Sequence, residues 1–174
     1  VDRAVGCLLG LAIGGDIEPA LALARTLIGR TAYDPDAAHA AYALWLASHP
    51  RTPVNDPRTR AVPIGIWAGT PDRAAATARA DAALTQADGA TRDAAAAIAA
   101  AVARAIHGGT SDLGGQDRQI ALALAGATQG RAGIPAAQAI RVLTWRPDDR
   151  PDVYWADDLC DVAEALLSAP RTHM

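Results

Sequence analysis

The chain contains no lysine and no phenylalanine, and all 16 positive charges among its 174 residues are arginines. A Walker phosphate loop, a Schiff-base enzyme and a lysine-activated serine are therefore excluded, because each requires a lysine amine. Nineteen carboxylates bring the formal net charge to -3. With this acidic balance and no basic stripe, the sequence predicts no nucleic-acid partner.

Cysteine is also scarce. Cys7 and Cys160 are too few and too far apart for a disulfide framework or a CxxC metal site, which favours a reducing, cytoplasmic setting. No apolar run approaches the length of a membrane span, and residues 1–14 lack the basic start and cleavage site of a signal peptide. We therefore expect no membrane partner.

Alanine is abundant, with 44 of the 174 residues, and this favours closely packed helices. Apolar residues recur at helical spacing in segments that begin at turn or capping residues. The predicted starts are Asp2, Asp16, Asp34, Thr70, Thr91, Asp117, Pro135 and Trp155. The proline-rich segment 50–62 is predicted to be an ordered loop. We predict an all-α, orthogonal bundle of seven or eight helices in a single domain, residues 1–174.

The carboxylates that offer reactive chemistry lie in two glycine-bordered corners. Asp16 and Glu18 form the first corner, and Asp112 and Asp117 form the second. Mg²⁺ takes several oxygen ligands, so two such corners would hold it if they converged. In the alternative interpretation Asp16 and Asp117 only cap helices, and Glu18 favours the dipole of a first turn. The spacing alone favours capping.

Two further motifs could contact a nucleotide. Gly108, Gly109 and Ser111 precede a helix and could surround a phosphate with backbone amides, although a plain turn explains the same pattern. Trp45, Trp67, Trp145 and Trp155 could stack on a base, although a buried tryptophan is more often part of a core. Trp67 and Trp155 are the preferred candidates, because both lie beside loop-like sequence. The four histidines have no metal-ligand spacing.

Several blocks occur in an order typical of one enzyme family. They include DRAVGCLLGLAIG at 2–14, NDPRTRAVPIGI at 55–66 and IALALAGATQGRAGIPA at 120–136, with further blocks at 20–35, 78–86, 92–109 and 150–167. This order resembles the ADP-ribosylglycohydrolase family, all-helical enzymes that remove ADP-ribose from modified proteins with two Mg²⁺ ions. Over nearly the whole chain, the resemblance implies that fold. It also implies a nucleotide cleft that involves Asn55, Arg60, Gly108, Gly109 and Ser111, with Arg60 pairing with phosphate.

The resemblance also implies lost metal ligands. Where the family has a Gly-Asp turn and a Thr-Asp-Asp-Thr motif, this chain has GGDIEP at 14–19, which leaves Asp16. At the two acidic positions of the second metal motif stand Leu113 and Gly115 or, in a shifted register, Asp117 and Gln119. We therefore expect no cofactor, unless Mg²⁺ binds a rebuilt site. The candidate ligands for such a site are Asp16, Asp112 and Asp117.

These observations predict a shortened, non-hydrolytic relative that binds an ADP-ribose-like nucleotide or a protein partner. An active Mg²⁺-dependent hydrolase is the first alternative, with Asp16 and Glu18 as catalytic candidates. Its metal ligands would come from Asp112, Asp117, Asp157 and Asp158. A purely structural homo-oligomer is the second alternative, because loss of helical segments would uncover apolar surface that a second copy could cover.

Overall fold

The computed structural model describes residues 1–48, 56–85, 88–111, 113, 117–146, 148 and 151–169. These residues form α1 (Asp2–Gly14), α2 (Glu18–Leu27), α3 (Pro35–Ser48), α4 (Pro57–Ala68), α5 (Pro71–Ala83), α6 (Gly89–Ile106), α7 (Arg118–Gln129), α8 (Ala136–Thr144) and α9 (Leu159–Leu167). Two short 3₁₀ turns span Gly130–Gly133 and Asp152–Tyr154. No strand occurs in the described ranges, so the predicted all-α bundle is confirmed.

The closest helix pair is α1 with α7, and glycines make the approach possible. Every residue from Ala4 to Leu11 of α1 is buried. A Cβ added to Gly10 would lie 2.1 Å from the Leu122 carbonyl oxygen, and one added to Gly126 would lie 2.0 Å from the Gly6 carbonyl oxygen. The two backbones therefore touch directly, and α7 is held against the centre of the molecule.

The prediction of a loop over 50–62 was wrong from Pro57 onward. α4 begins there, capped by Asp56, whose carboxylate accepts a hydrogen bond from the Arg58 amide at 2.9 Å. Pro63 lies inside the helix, where it has no N–H to donate to the Thr59 carbonyl. Burial of nearly every residue of α4 outweighs this lost hydrogen bond, and the prolines misled the sequence interpretation for that reason.

The predicted caps have mixed outcomes. Asp34, Thr70 and Asp117 each accept hydrogen bonds from amides in the first turn of the helix that follows, as predicted. Asp2 does not cap α1, so that prediction was wrong. Its carboxylate instead forms an ion pair with Arg131 at 2.8 Å, which joins the start of α1 to the 3₁₀ turn after α7.

Several helix starts differ from the predicted positions. α2 begins at Glu18 with Ile17 in the capping position and no side-chain cap, so the prediction that Asp16 caps it was wrong. α6 begins at Gly89, before Thr91, because the Asp88 carboxylate accepts the Thr91 amide at 2.8 Å and so takes the capping position. The last helix begins at Leu159 instead of Trp155, because the chain first forms the 3₁₀ turn Asp152–Tyr154. Among the helices described, none is both long and apolar enough to cross a membrane.

Candidate ligand-binding cleft

A cleft of about 760 Å³ opens where the end of α1, the start of α2, α7, α8 and the second 3₁₀ turn meet. Its volume is within the range of small-molecule sites in proteins. The polar and aromatic side chains on its walls are Asp16, Glu18, Arg118, Gln138, Arg141, Trp145 and Tyr154. The first corner predicted from the sequence is therefore part of a cleft.

The structure brings the first corner against the start of α7. The side-chain amide of Gln119 donates hydrogen bonds to the main-chain oxygens of Asp16, at 2.8 Å, and Leu11, at 3.1 Å. Gly14 and Gly15 lie directly on this side chain, with no space for a Cβ between them and Gln119. The first corner thus meets the start of α7 through Gln119, two residues after Asp117.

The carboxylates of both corners have structural partners. Asp16 Oδ1 accepts the Glu18 amide at 2.9 Å. Asp117 Oδ1 accepts the Ile120 amide at 3.1 Å, and its Oδ2 lies 3.1 Å from a guanidinium nitrogen of Arg58. Asp117 therefore caps α7, as the capping interpretation predicted, whereas Asp16 accepts the first amide of α2 from outside the capping position, which Ile17 occupies.

These groups do not fit a two-metal centre. A cation placed on Asp117 would face the positive charge of Arg58, which already occupies one carboxylate oxygen. Within the described ranges, no three acidic, histidine or cysteine side chains are grouped closely enough to hold a metal ion. Asp112 lies outside those ranges. A rebuilt Mg²⁺ site stays a prediction.

Glu18 lines the cleft as a buried carboxylate, with only 5% of its surface exposed. The indole nitrogen of Trp45 donates a hydrogen bond to Glu18 Oε2 at 3.2 Å. Burial raises the pKa of the nearby Tyr154 hydroxyl, and the negative charge of Glu18 raises it further. This wall of the cleft therefore places a buried carboxyl group near a neutral phenol.

The cleft also has two basic lining residues. Arg118 begins α7 and Arg141 lies on α8, and both are exposed. Their guanidinium groups form no hydrogen bond or ion pair with any other residue that the structure describes, whereas Arg25 pairs with Asp158 at 2.9 Å. Trp145, at the end of α8, adds an aromatic surface that is 55% exposed.

Sequence reasoning missed the two arginines, and among the tryptophans that could stack on a base it preferred Trp67 and Trp155 to Trp145. Trp67 is 1% exposed and belongs to the core, where its indole donates to the Arg30 carbonyl at 3.2 Å. Trp155 is half-buried, with the Arg146 guanidinium over its ring at 5.2 Å. A cleft formed from separate helices leaves no fixed spacing in the sequence that could have revealed Arg118, Arg141 and Trp145.

Arg60, predicted to pair with phosphate, lies in the core and not on the cleft. Its side chain is fully buried, with Nε at 2.8 Å from Asp81 Oδ2 and Nη2 at 2.9 Å from Thr85 Oγ1. Its guanidinium also covers the Tyr42 ring at 4.4 Å. A phosphate could reach it only if this core opened, so the binding role stays a prediction with a high structural cost.

The predicted phosphate loop is engaged in ending α6. The amides of Gly108 and Gly109 donate to the carbonyls of Ala105 and Arg104 at 3.1 and 2.9 Å. Gly108 takes a positive φ of 89°, which a glycine adopts without strain at a helix end. The hydroxyls of Ser111 and of Thr128 on α7 lie 3.4 Å apart. Gly108, Gly109 and Ser111 do not line the cleft. Asn55, also predicted to bind ligand, lies outside the described residues.

Comparison with models of known protein families gives no match, and no curated protein is similar enough to count as a relative. The ADP-ribosylglycohydrolase resemblance therefore rests on the sequence blocks themselves.

Proposed function

We propose that the chain binds an ADP-ribose-like nucleotide in this cleft and does not hydrolyse it. The observation that carries the proposal is the set of groups around one cavity. Arg118 and Arg141 form one wall, the Asp16–Glu18 turn forms another, and Trp145 lies at the edge.

The two arginines suit the diphosphate of such a ligand. A guanidinium donates two parallel hydrogen bonds to phosphate oxygens, and charge-assisted bonds of this kind are the strong ones. Arg118 and Arg141 come from different helices and have no carboxylate partner among the described residues, so neither must break an ion pair to bind an anion. A diphosphate has oxygens on both phosphates, so each of the two guanidinium groups can bind one phosphate.

The remaining walls suit the base and the sugar. The exposed indole of Trp145 provides a flat apolar surface on which a heteroaromatic base can stack. Carboxylates accept hydrogen bonds from hydroxyl groups, and Asp16 and Glu18 line the same cleft as the two arginines. The cleft thus offers acceptors for the ribose as well as donors for the phosphates.

Binding without hydrolysis follows from how the carboxylates are used. Cleavage of a glycosidic bond requires a positioned acid and base or a metal-activated water. Asp16 holds the Glu18 amide, Glu18 accepts the buried Trp45 indole, and Asp117 pairs with Arg58. These contacts favour a structural use of the acidic groups over proton transfer to a ligand.

Calorimetric titration with ADP-ribose, in millimolar Mg²⁺ and again in EDTA, tests the proposal. We expect binding in both buffers, and in a separate assay we expect no release of ADP-ribose from an ADP-ribosylated protein. The double variant Arg118→Ala/Arg141→Ala should bind at least about tenfold more weakly, because charge-assisted hydrogen bonds are lost. Arg79→Ala is the matched control, because Arg79 pairs with Asp93 on the exposed surface of α5 and α6 and should leave the affinity unchanged.

Three outcomes contradict the proposal. Absence of binding in both buffers would remove the nucleotide role. Equal affinities of the wild type and the double variant would move the site away from this cleft. Binding that requires Mg²⁺, accompanied by release of ADP-ribose from a modified protein, would replace the proposal with the hydrolase alternative.

A further inference from the structure

We infer that Gln119 is the positioning residue of the cleft, which holds the Asp16–Glu18 turn in the place where its carboxylates form a wall. This inference rests on the proposed function, because the turn is assigned there to the ribose of the nucleotide. Gln119 itself does not line the cleft. It acts through the main chain of the residues that do.

The side-chain amide of Gln119 connects three elements. From α7, Nε2 donates to the Leu11 carbonyl of α1 at 3.1 Å and to the Asp16 carbonyl of the turn at 2.8 Å. Leu11 belongs to the last turn of α1, where carbonyls lack partners within the helix. A primary amide nitrogen has two N–H donors, so one atom of Gln119 can satisfy both carbonyls.

The packing around Gln119 is matched to this side chain. A Cβ added to Gly14 would lie 2.4 Å from Gln119 Cα, and one added to Gly15 would lie 2.9 Å from Gln119 Oε1. The two glycines therefore bring the turn close enough for the amide to reach it. Larger residues at either position would push the turn away from α7.

The contacts continue from the turn into the cleft wall. Asp16 is held by Gln119 through its carbonyl, and its carboxylate accepts the Glu18 amide at 2.9 Å. Glu18 in turn accepts the Trp45 indole at 3.2 Å. Loss of the Gln119 side-chain amide thus releases Asp16, and Asp16 in turn holds the amide of Glu18, whose carboxylate is buried.

The test uses Gln119→Met, which keeps the length of the side chain and removes both donors. Hydrogen exchange of the amides at 15–18, thermal unfolding and ADP-ribose affinity are measured on the same preparations. We expect a folded protein whose 15–18 amides exchange about tenfold faster and whose affinity is about tenfold weaker, the effect of one to two lost hydrogen bonds. Gln129→Met is the matched control, because Gln129 is the exposed last residue of the same helix.

Gln119→Glu is the second variant, since it keeps size and shape and replaces both donors with acceptors that face two carbonyl oxygens. It should raise the exchange rate and weaken binding more than Gln119→Met does. Unchanged 15–18 exchange in a folded variant overturns the inference, whether or not the wild type binds nucleotide. Faster exchange with unchanged affinity also overturns it. If the wild type has no affinity for ADP-ribose, the proposed function is overturned. The exchange rates of the 15–18 amides in the variants then test whether Gln119 positions the turn.

Discussion

Arg60 and Asp81 form an ion pair from which water is excluded. Arg60 Nε lies 2.8 Å from Asp81 Oδ2, and the two side chains are 0% and 1% exposed. The hydroxyls of Tyr33 and Tyr42 donate to the other oxygen of the same carboxylate, at 2.9 and 2.5 Å. Because these four side chains come from α3, α4, α5 and the segment before α3, the network fixes how those elements pack.

Asp81→Asn should destabilise the fold by about 3 kcal/mol or more, because it leaves the buried Arg60 guanidinium without its counter-charge. Urea unfolding at neutral pH measures the effect. Asp93→Asn is the control, since Asp93 is 70% exposed in its pair with Arg79 and an exposed pair contributes less than about 1 kcal/mol. Equal losses of stability in the two variants would mean that the buried pair contributes no more to stability than the exposed pair.

The sequence predicts some helices of this fold and not others. Helices such as α5 and α7 were predictable, because Thr70 and Asp117 provide local capping signals followed by apolar spacing. α4 was missed because its stability comes from contacts distant in sequence. Gly65, for example, packs against the Ala99 carbonyl of α6. Local pattern carries no information on such a contact, whereas prolines in 50–62 give a local signal for a loop.

The site divides in a similar way. Asp16 and Glu18 were found as candidates because an acidic pair after a double glycine is visible in the sequence. Arg118 and Arg141 were not, and Trp145 was named but not preferred, because only the packing of α7 and α8 near the end of α1 brings the three residues to the same cleft. The packing itself depends on the glycines of α1 and α7, whose role becomes clear only when the backbones are seen to touch.

Gly10→Ala should destabilise the protein by about 3 kcal/mol, because the new methyl group would lie 2.1 Å from the Leu122 carbonyl oxygen and force α1 and α7 apart. The free energy of unfolding in urea measures this. Gly89→Ala is the control at the exposed start of α6, where an added Cβ meets nothing within 4 Å. That change should be neutral or slightly stabilising. A tolerated Gly10→Ala would contradict the close packing of these helices.

Cys7 should make the fold sensitive to alkali. Burial in α1 raises the pKa of its thiol in the folded protein, whereas the unfolded thiol ionises near pH ~8.5. Above that pH the unfolded state releases a proton that the folded state keeps, so stability falls by up to about 1.4 kcal/mol per pH unit. Cys7→Ala should therefore lose stability less steeply than the wild type between about pH 8.5 and 10.

For Cys7→Ala, the slope of the free energy of unfolding against pH is compared with that of the wild type, since the alanine also changes packing at every pH. Urea unfolding is measured from neutral pH to about pH 10, below the range in which unfolded tyrosines ionise fully. Cys160→Ala is the control, because Cys160 is exposed. It should leave the slope of the wild type unchanged. Parallel pH profiles of Cys7→Ala and the wild type would show that the buried thiol does not set the alkaline limit.

Trp145→Ala separates recognition of the base from recognition of the phosphates. The indole is 55% exposed at the edge of the cleft, so its removal leaves no cavity in the core. We expect ADP-ribose affinity to fall about tenfold, the size of one lost stacking contact, whereas affinity for ribose 5-phosphate, which has no base, should stay the same. Calorimetry with both ligands provides the measurement. An equal loss of affinity for both ligands would assign Trp145 to the shape of the cleft, because ribose 5-phosphate has no aromatic ring that could stack on the indole. Unchanged affinity for both ligands would place the base elsewhere.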